Sequence, residues 1–195
     1  LTRFIFRAQL SGAMSERSLT GEEWKLVLNR LAEHLDPSTP TKMLLIGGVA
    51  VALAYGTRRT TRDVDVVLEE QSCESVIRAA NQIAAEFDLE PGWLNENAKH
   101  AGFLRETLIE GGVVLQTPTL KVVVPSLAQL GAMKLAAIRG QTDVDDAMIL
   151  LKHLRASGGD AEDIWALVGG LLPVADRDKA RYNLLKLWEI LDESE

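Results

Sequence analysis

Two aspartates, Asp63 and Asp65, interrupt the apolar run "DVDVVL" a short way downstream of a glycine pair, Gly47-Gly48. Side chains of an extended strand alternate between faces, so Arg59, Thr61, Asp63 and Asp65 would share one face while Val64 and Val66 point into the core. Two carboxylates on one face repel unless a cation lies between them. The economical cation is Mg²⁺, which takes oxygen ligands and keeps water positions open for a phosphate. The glycine pair leads into an apolar helical segment, "VAVALAYG", whose start would offer backbone N–H groups and a positive dipole end to an anion. A helix start for phosphate beside two metal-binding acids suits phosphoryl or nucleotidyl transfer. The competing reading is an exposed strand end on which Asp63 and Asp65 pair with Arg58, Arg59 or Arg62.

The elements that must position these residues follow from periodicity and punctuation. Thr20-Gly-Glu-Glu23 reads as a capping box opening a helix in which Trp24, Val27, Leu28, Leu31 and Leu35 recur at helical spacing. "DPSTP" breaks it, and 42–46 reads as a buried strand running into the glycine turn. After the "TRRT" loop comes a second strand over 61–68, then a helix over 72–87. "LEPGWLNENAKHAG" has no period and reads as a long loop. "VVLQ" and "LKVVV" flank Thr117-Pro118 and are expected to pair as strands. Further helices are expected over 127–139, from Thr142 to the glycines at 158–159, and over 161–169 and 175–191. The expected fold is α/β (α+β), a small mixed β-sheet flanked by helices with a helical C-terminal region. The expected organisation is a tail over 1–18, a core over 19–156 and the C-terminal helices over 157–195.

One lysine is out of place. At 100° per residue Lys134 falls within about 20° of the centre of the stripe formed by Leu127, Leu130, Ala137 and Ile138. A lysine on a core-facing stripe needs an anionic partner or a route to solvent. Either it snorkels or pairs with Asp143 or Asp146, or it points at a nucleotide triphosphate or the aspartate cluster. Asp143, Asp145 and Asp146 themselves suit the first turn of a helix, where acids complement the dipole and Thr142 with Asp145 resembles a cap. Trp93 either stacks on a base or anchors its loop.

The segments "LIGGVAVAL…RRTTRDVDVVL" and "LAQLGAMKLAAIRGQTDVDDAMILLKHL" resemble the polymerase-β-like nucleotidyltransferase superfamily, over roughly residues 42–155. They look most similar to the toxin-type branch, the AbiEii/MenT-like nucleotidyltransferases of bacterial toxin–antitoxin pairs. The resemblance implies a nucleotidyltransferase fold in which Gly47 and Gly48 contact the phosphates of an incoming nucleoside triphosphate. It implies that Asp63 and Asp65 hold Mg²⁺, that Lys134 serves catalysis, and that Asp146 is the second acid of the family's D-x-x-D. Arg59 and Thr61 would join the nucleotide-binding set, and Arg59 with Lys134 would balance developing charge. A tRNA 3′ end is the implied acceptor and a small antitoxin the implied partner. The chain departs from the pattern at Gly48, where many members carry Ser. It also has no acid in "VVLQTPTLKVVV", where a third carboxylate is expected; Lys121 and Val123 stand there instead, and Glu110 only precedes the strand. The general base is therefore unassigned, and two alternatives stand beside the toxin reading: an enzyme modifying small antibiotic-type molecules, and a non-catalytic nucleotide-binding or interaction module.

Composition narrows the field. A net charge of −7 provides no global basic field, so a nucleic acid would be held by a local patch such as Arg58, Arg59 and Arg62. The same charge argues against a membrane surface. A single cysteine, Cys73, excludes an intramolecular disulfide or a cysteine-based zinc site, and three scattered histidines make no metal cluster. The longest apolar run is broken by glycines and too short to span a bilayer, so a cytoplasmic location is expected.

Overall fold

The structure, a computed structural model, describes residues 17–56, 60–97 and 109–193. The Thr20 box forms as its sequence predicts: Thr20 Oγ1 accepts from the Glu23 backbone N–H and the Glu23 carboxylate accepts from the Thr20 N–H. It starts helix α1 (Gly21–Glu33), which follows a two-residue strand β1 (Leu19–Thr20). Strand β2 (Thr41–Ile46) runs into α2 (Gly47–Tyr55), and β3 (Thr60–Thr61), β4 (Val64–Leu68) and α3 (Glu70–Ala84) complete the N-terminal half. Then come β5 (Leu94–Asn95), the hairpin β6 (Glu110–Gln116) and β7 (Leu120–Pro125), and helices α4 (Leu127–Ala137), α5 (Gln141–Ala156), α6 (Ala161–Val168) and α7 (Val174–Glu193).

The main sheet has the order β5-β4-β2-β7-β6. β2 is antiparallel to β4 and parallel to β7, β4 is parallel to β5, and β6 is antiparallel to β7, so the sheet is mixed. Its two faces differ. Met43, Leu45, Val64, Val66, Val122 and Val124 point into the larger core with Trp24, Leu28 and Ile83. Leu44, Ile46 and Val123 line the other face beneath Met133 of α4, and Asp65, in register with Ile46, lies on that face too. A second core joins α4 and α5 to α6 and α7 through Leu135, Leu151, Ile164, Val168 and Leu184.

Three sequence expectations are corrected. The strand expected over 61–68 is not continuous: Thr60–Thr61 pairs with Leu19–Thr20, the chain bends at Arg62, and β4 begins only at Val64. Leu94–Asn95, expected in a loop, adds an edge strand beside Val64 and Asp65. Of the two readings of Trp93 the loop anchor holds: it is buried, stacks on Trp24 at 5.5 Å between ring centroids, and donates its indole N–H to the Ala80 carbonyl. Helix α5 starts at Gln141 with Gly140 as its N-cap, not at Thr142.

Candidate functional site

The glycine turn brings the two halves of the site together. Gly47 adopts φ +71°, a left-handed conformation that any side chain would strain. A Cβ there would lie 2.9 Å from Oδ2 of Asp65. The carboxylate therefore rests against bare backbone at the start of α2, a helix with no side-chain cap and no acid in its first turn. Gly48 is tight for another reason: a Cβ would come within 3.0 Å of the Thr61 methyl and 3.9 Å of Asp146 Oδ2. Thr61 is fixed from behind, because its Oγ1 accepts the buried Trp24 indole N–H at 2.8 Å. It shapes the turn more than it offers a free hydroxyl.

These residues open onto a cleft of about 840 Å³ whose walls include Gly47, Gly48, Thr61, Asp63, Asp65 and Lys134. Asp63 is exposed on the chain entering β4 and Asp65 is half-buried on it. Burial pushes the Asp65 carboxyl above its usual range and the charge of Asp63 adds to this, with Lys134 and Arg139 offsetting part of it. For Asp65, those two cations do not outweigh burial and the neighbouring charge. Among the described residues no group of three or more His, Cys, Asp or Glu side chains gathers to hold a metal ion. Two carboxylates fit Mg²⁺, which commonly takes one or two from protein and completes its shell with water and substrate phosphate.

The helical wall is arranged differently. Lys134, 11% exposed at its side chain, is held between Asp146 Oδ2 at 2.7 Å and Asp143 Oδ1 at 3.4 Å. Both acids that the sequence offered as its partners are engaged. Asp146 is completely buried against Lys134 and is not among the residues that line the cleft. Asp143 does line the cleft. Burial acts to raise its carboxyl, but Lys134 together with the backbone N–H and guanidinium of Arg139 outweighs this and holds it below the ordinary range. The sequence offered Asp143 as a partner of Lys134 and as a helix-capping acid but gave no sign that it, rather than Asp146, would face the cleft.

The strand expected to supply a third carboxylate supplies none. Val123 is buried on the Asp65 face beside Leu44, Lys121 stands opposite Lys42 towards the other end of the strands, and Glu110 pairs with Lys42. Arg59 lies outside the described residues, so its assignment rests on the sequence alone.

The family described as "Nucleotidyltransferase of unknown function (DUF6036)" matches residues 25–164, a span that holds the glycine turn, Asp63, Asp65 and the whole Lys134–Asp143–Asp146 cluster. No curated protein and no solved structure matches the chain.

Proposed function

The chain belongs to this family of nucleotidyltransferases, and from that premise we propose that the cleft transfers a nucleoside monophosphate from a nucleoside triphosphate to an acceptor hydroxyl. The observation that carries the reading is the seating of the Asp65 carboxylate against Gly47, which puts an acid raised by burial and by its neighbour Asp63 next to an uncapped helix start. Asp63 and Asp65 would hold Mg²⁺, which when bound supplies charge neutralisation to the triphosphate. The backbone N–H groups of Gly47 and Gly48 receive phosphate oxygens at the positive end of α2. Lys134, fixed by Asp146, presents its ammonium to charge that builds on the α-phosphate as the acceptor oxygen attacks and pyrophosphate leaves. Asp143 is a poor general base, because two cations hold it ionised; the acceptor's proton has no assigned recipient.

The resemblance to toxin-type members supports a tRNA 3′ end as acceptor and a small antitoxin as partner. Incubation with each labelled nucleoside triphosphate and Mg²⁺, against total tRNA or an antibiotic panel, separates the toxin reading from a small-molecule nucleotidyltransferase. Label on tRNA that is lost with Asp65→Ala is the expected result. One observation favours a second reading, a non-catalytic nucleotide-binding module: Val123 stands where the superfamily places its third acid. Unchanged growth and undetectable transfer in both wild type and Asp65→Ala would select that reading.

A further inference from the structure

The cleft has a cation that neither the glycine turn nor the aspartate pair accounts for. Lys179 lies on α7, beyond the family-matched span, yet it lines the same cleft as Asp63, Asp65 and Arg139. The docking of α7 on α4 brings it there. Asn183, one turn further along the same face of α7, donates its amide to the Leu135 carbonyl at 2.7 Å. Ala180 and Leu184 beside it are buried with Leu135 and Ala136 of α4. Lys179 itself is exposed and among the described residues has no ion-pair partner. Arg139 at the end of α4 gives its Nε and backbone N–H to Asp143 while its side chain stays 82% exposed.

Arg139 and Lys179 both keep donors available to a ligand. The cleft is lined by acids as well as cations, but Lys179 lines it with no carboxylate partner among the described residues, and in a chain of net charge −7 such an ammonium is a place for an anion. We propose that Lys179 and Arg139 form a second anion subsite of the cleft, distinct from the start of α2, that binds phosphate groups of a phosphate-bearing substrate. The phosphates come from one of two sources, the tail of the nucleoside triphosphate or the phosphodiester backbone of a nucleic-acid acceptor. Only the naming of those sources rests on the transfer reading; the anion binding does not.

The test is calorimetric titration of the full chain in Mg²⁺ buffer with inorganic tripolyphosphate and, separately, with a short single-stranded oligoribonucleotide. Lys179→Glu should weaken at least one by about tenfold, the worth of one charge-assisted hydrogen bond. Lys179→Arg should stay near wild type, and Lys186→Glu, the same charge change further along α7, should leave both unchanged. Weakened tripolyphosphate assigns the subsite to the triphosphate tail, and weakened oligoribonucleotide alone assigns it to the acceptor backbone. Wild-type binding of neither probe, unaltered binding of both by Lys179→Glu, or an equal loss with Lys186→Glu overturns the proposal. If the Lys179 effect is present but no nucleotide is transferred to any acceptor, the subsite stands and the transfer reading falls. If transfer proceeds and Lys179→Glu binds both probes as wild type, the subsite falls alone.

Discussion

The two walls of the cleft both carry acids, and they treat them in opposite ways. On the sheet wall burial and the charge of Asp63 raise the Asp65 carboxyl by more than Lys134 and Arg139 offset. On the helical wall Asp143 and Asp146 enclose Lys134, and Arg139 adds a second cation, so Asp143 is held low. On the proposed reading the first, where Lys134 and Arg139 leave Asp65 uncompensated, is the wall that takes an external cation; the second is compensated and holds one ammonium between two carboxylates.

The largest effect should come from the uncompensated wall. Asp65→Ala should lower nucleotide transfer by about a thousandfold, since several kcal/mol of metal-borne charge stabilisation is lost; a single-turnover assay with saturating nucleotide measures it. A variant retaining a tenth of the activity would break the comparison, because Asp65 would then be no more than a strand-end acid.

Next is the compensated wall. Lys134→Met leaves Asp143 short of one partner and Asp146 buried without its ammonium, which should cost about 3–5 kcal/mol of folding free energy. Chemical denaturation measures it, and adding Asp146→Leu to Lys134→Met should recover part of the loss. Gly47→Ala should cost about 1–2 kcal/mol for its positive φ, and more as its Cβ displaces Asp65.

The sharpest contrast lies in pH dependence. The folded Asp65 carboxyl is raised, so its contribution to stability is fully present below the unfolded pKa and lost as pH rises through the folded value. Asp65→Asn should therefore raise Tm at pH 7, with the gain fading in acid, and added Mg²⁺ should stabilise wild type but not this variant. The folded Asp143 carboxyl is lowered, so its contribution is present above the unfolded pKa and lost as pH falls through the folded value. Asp143→Asn should lower Tm at pH 7. Shifts of the same sign at pH 7 would dissolve the distinction between the walls. The smallest effect belongs behind the glycine turn: Trp24→Phe keeps the ring packing but removes the donor to Thr61, at about 1 kcal/mol.

Much of this site was legible in one dimension because its logic is local. The Thr20 box, the strand that ends in two glycines, and the hairpin around Thr117-Pro118 each depend on residues a few positions apart, and each forms. Lys134 was conspicuous as a lysine on an apolar stripe, and the partners open to it, Asp143 and Asp146, lie on the next helix. What the pattern misjudged is non-local. The break at Arg62 follows from pairing of Thr60–Thr61 with Leu19–Thr20, some forty residues earlier. The edge strand at Leu94–Asn95 has no period of its own and exists because β4 offers it an edge. Trp93 is not among the misjudged residues: the sequence left it open between a base and its loop, and packing on Trp24 decides for the loop.

Residue type and spacing alone determined that a glycine turn precedes a helix, that two acids follow at the start of the next strand, and that a lysine lies on a core-facing stripe. These are consequences of backbone periodicity and of what each side chain tolerates. Only the tertiary structure decided which acids would be neutralised. Asp143, Asp146 and Lys134 meet because α4 and α5 pack face to face, Asp65 meets Gly47 because β2 and β4 pair in one register, and Lys179 reaches the cleft because α7 docks on α4. Charge balance depends on distance through space, and distance through space is what a linear sequence does not carry.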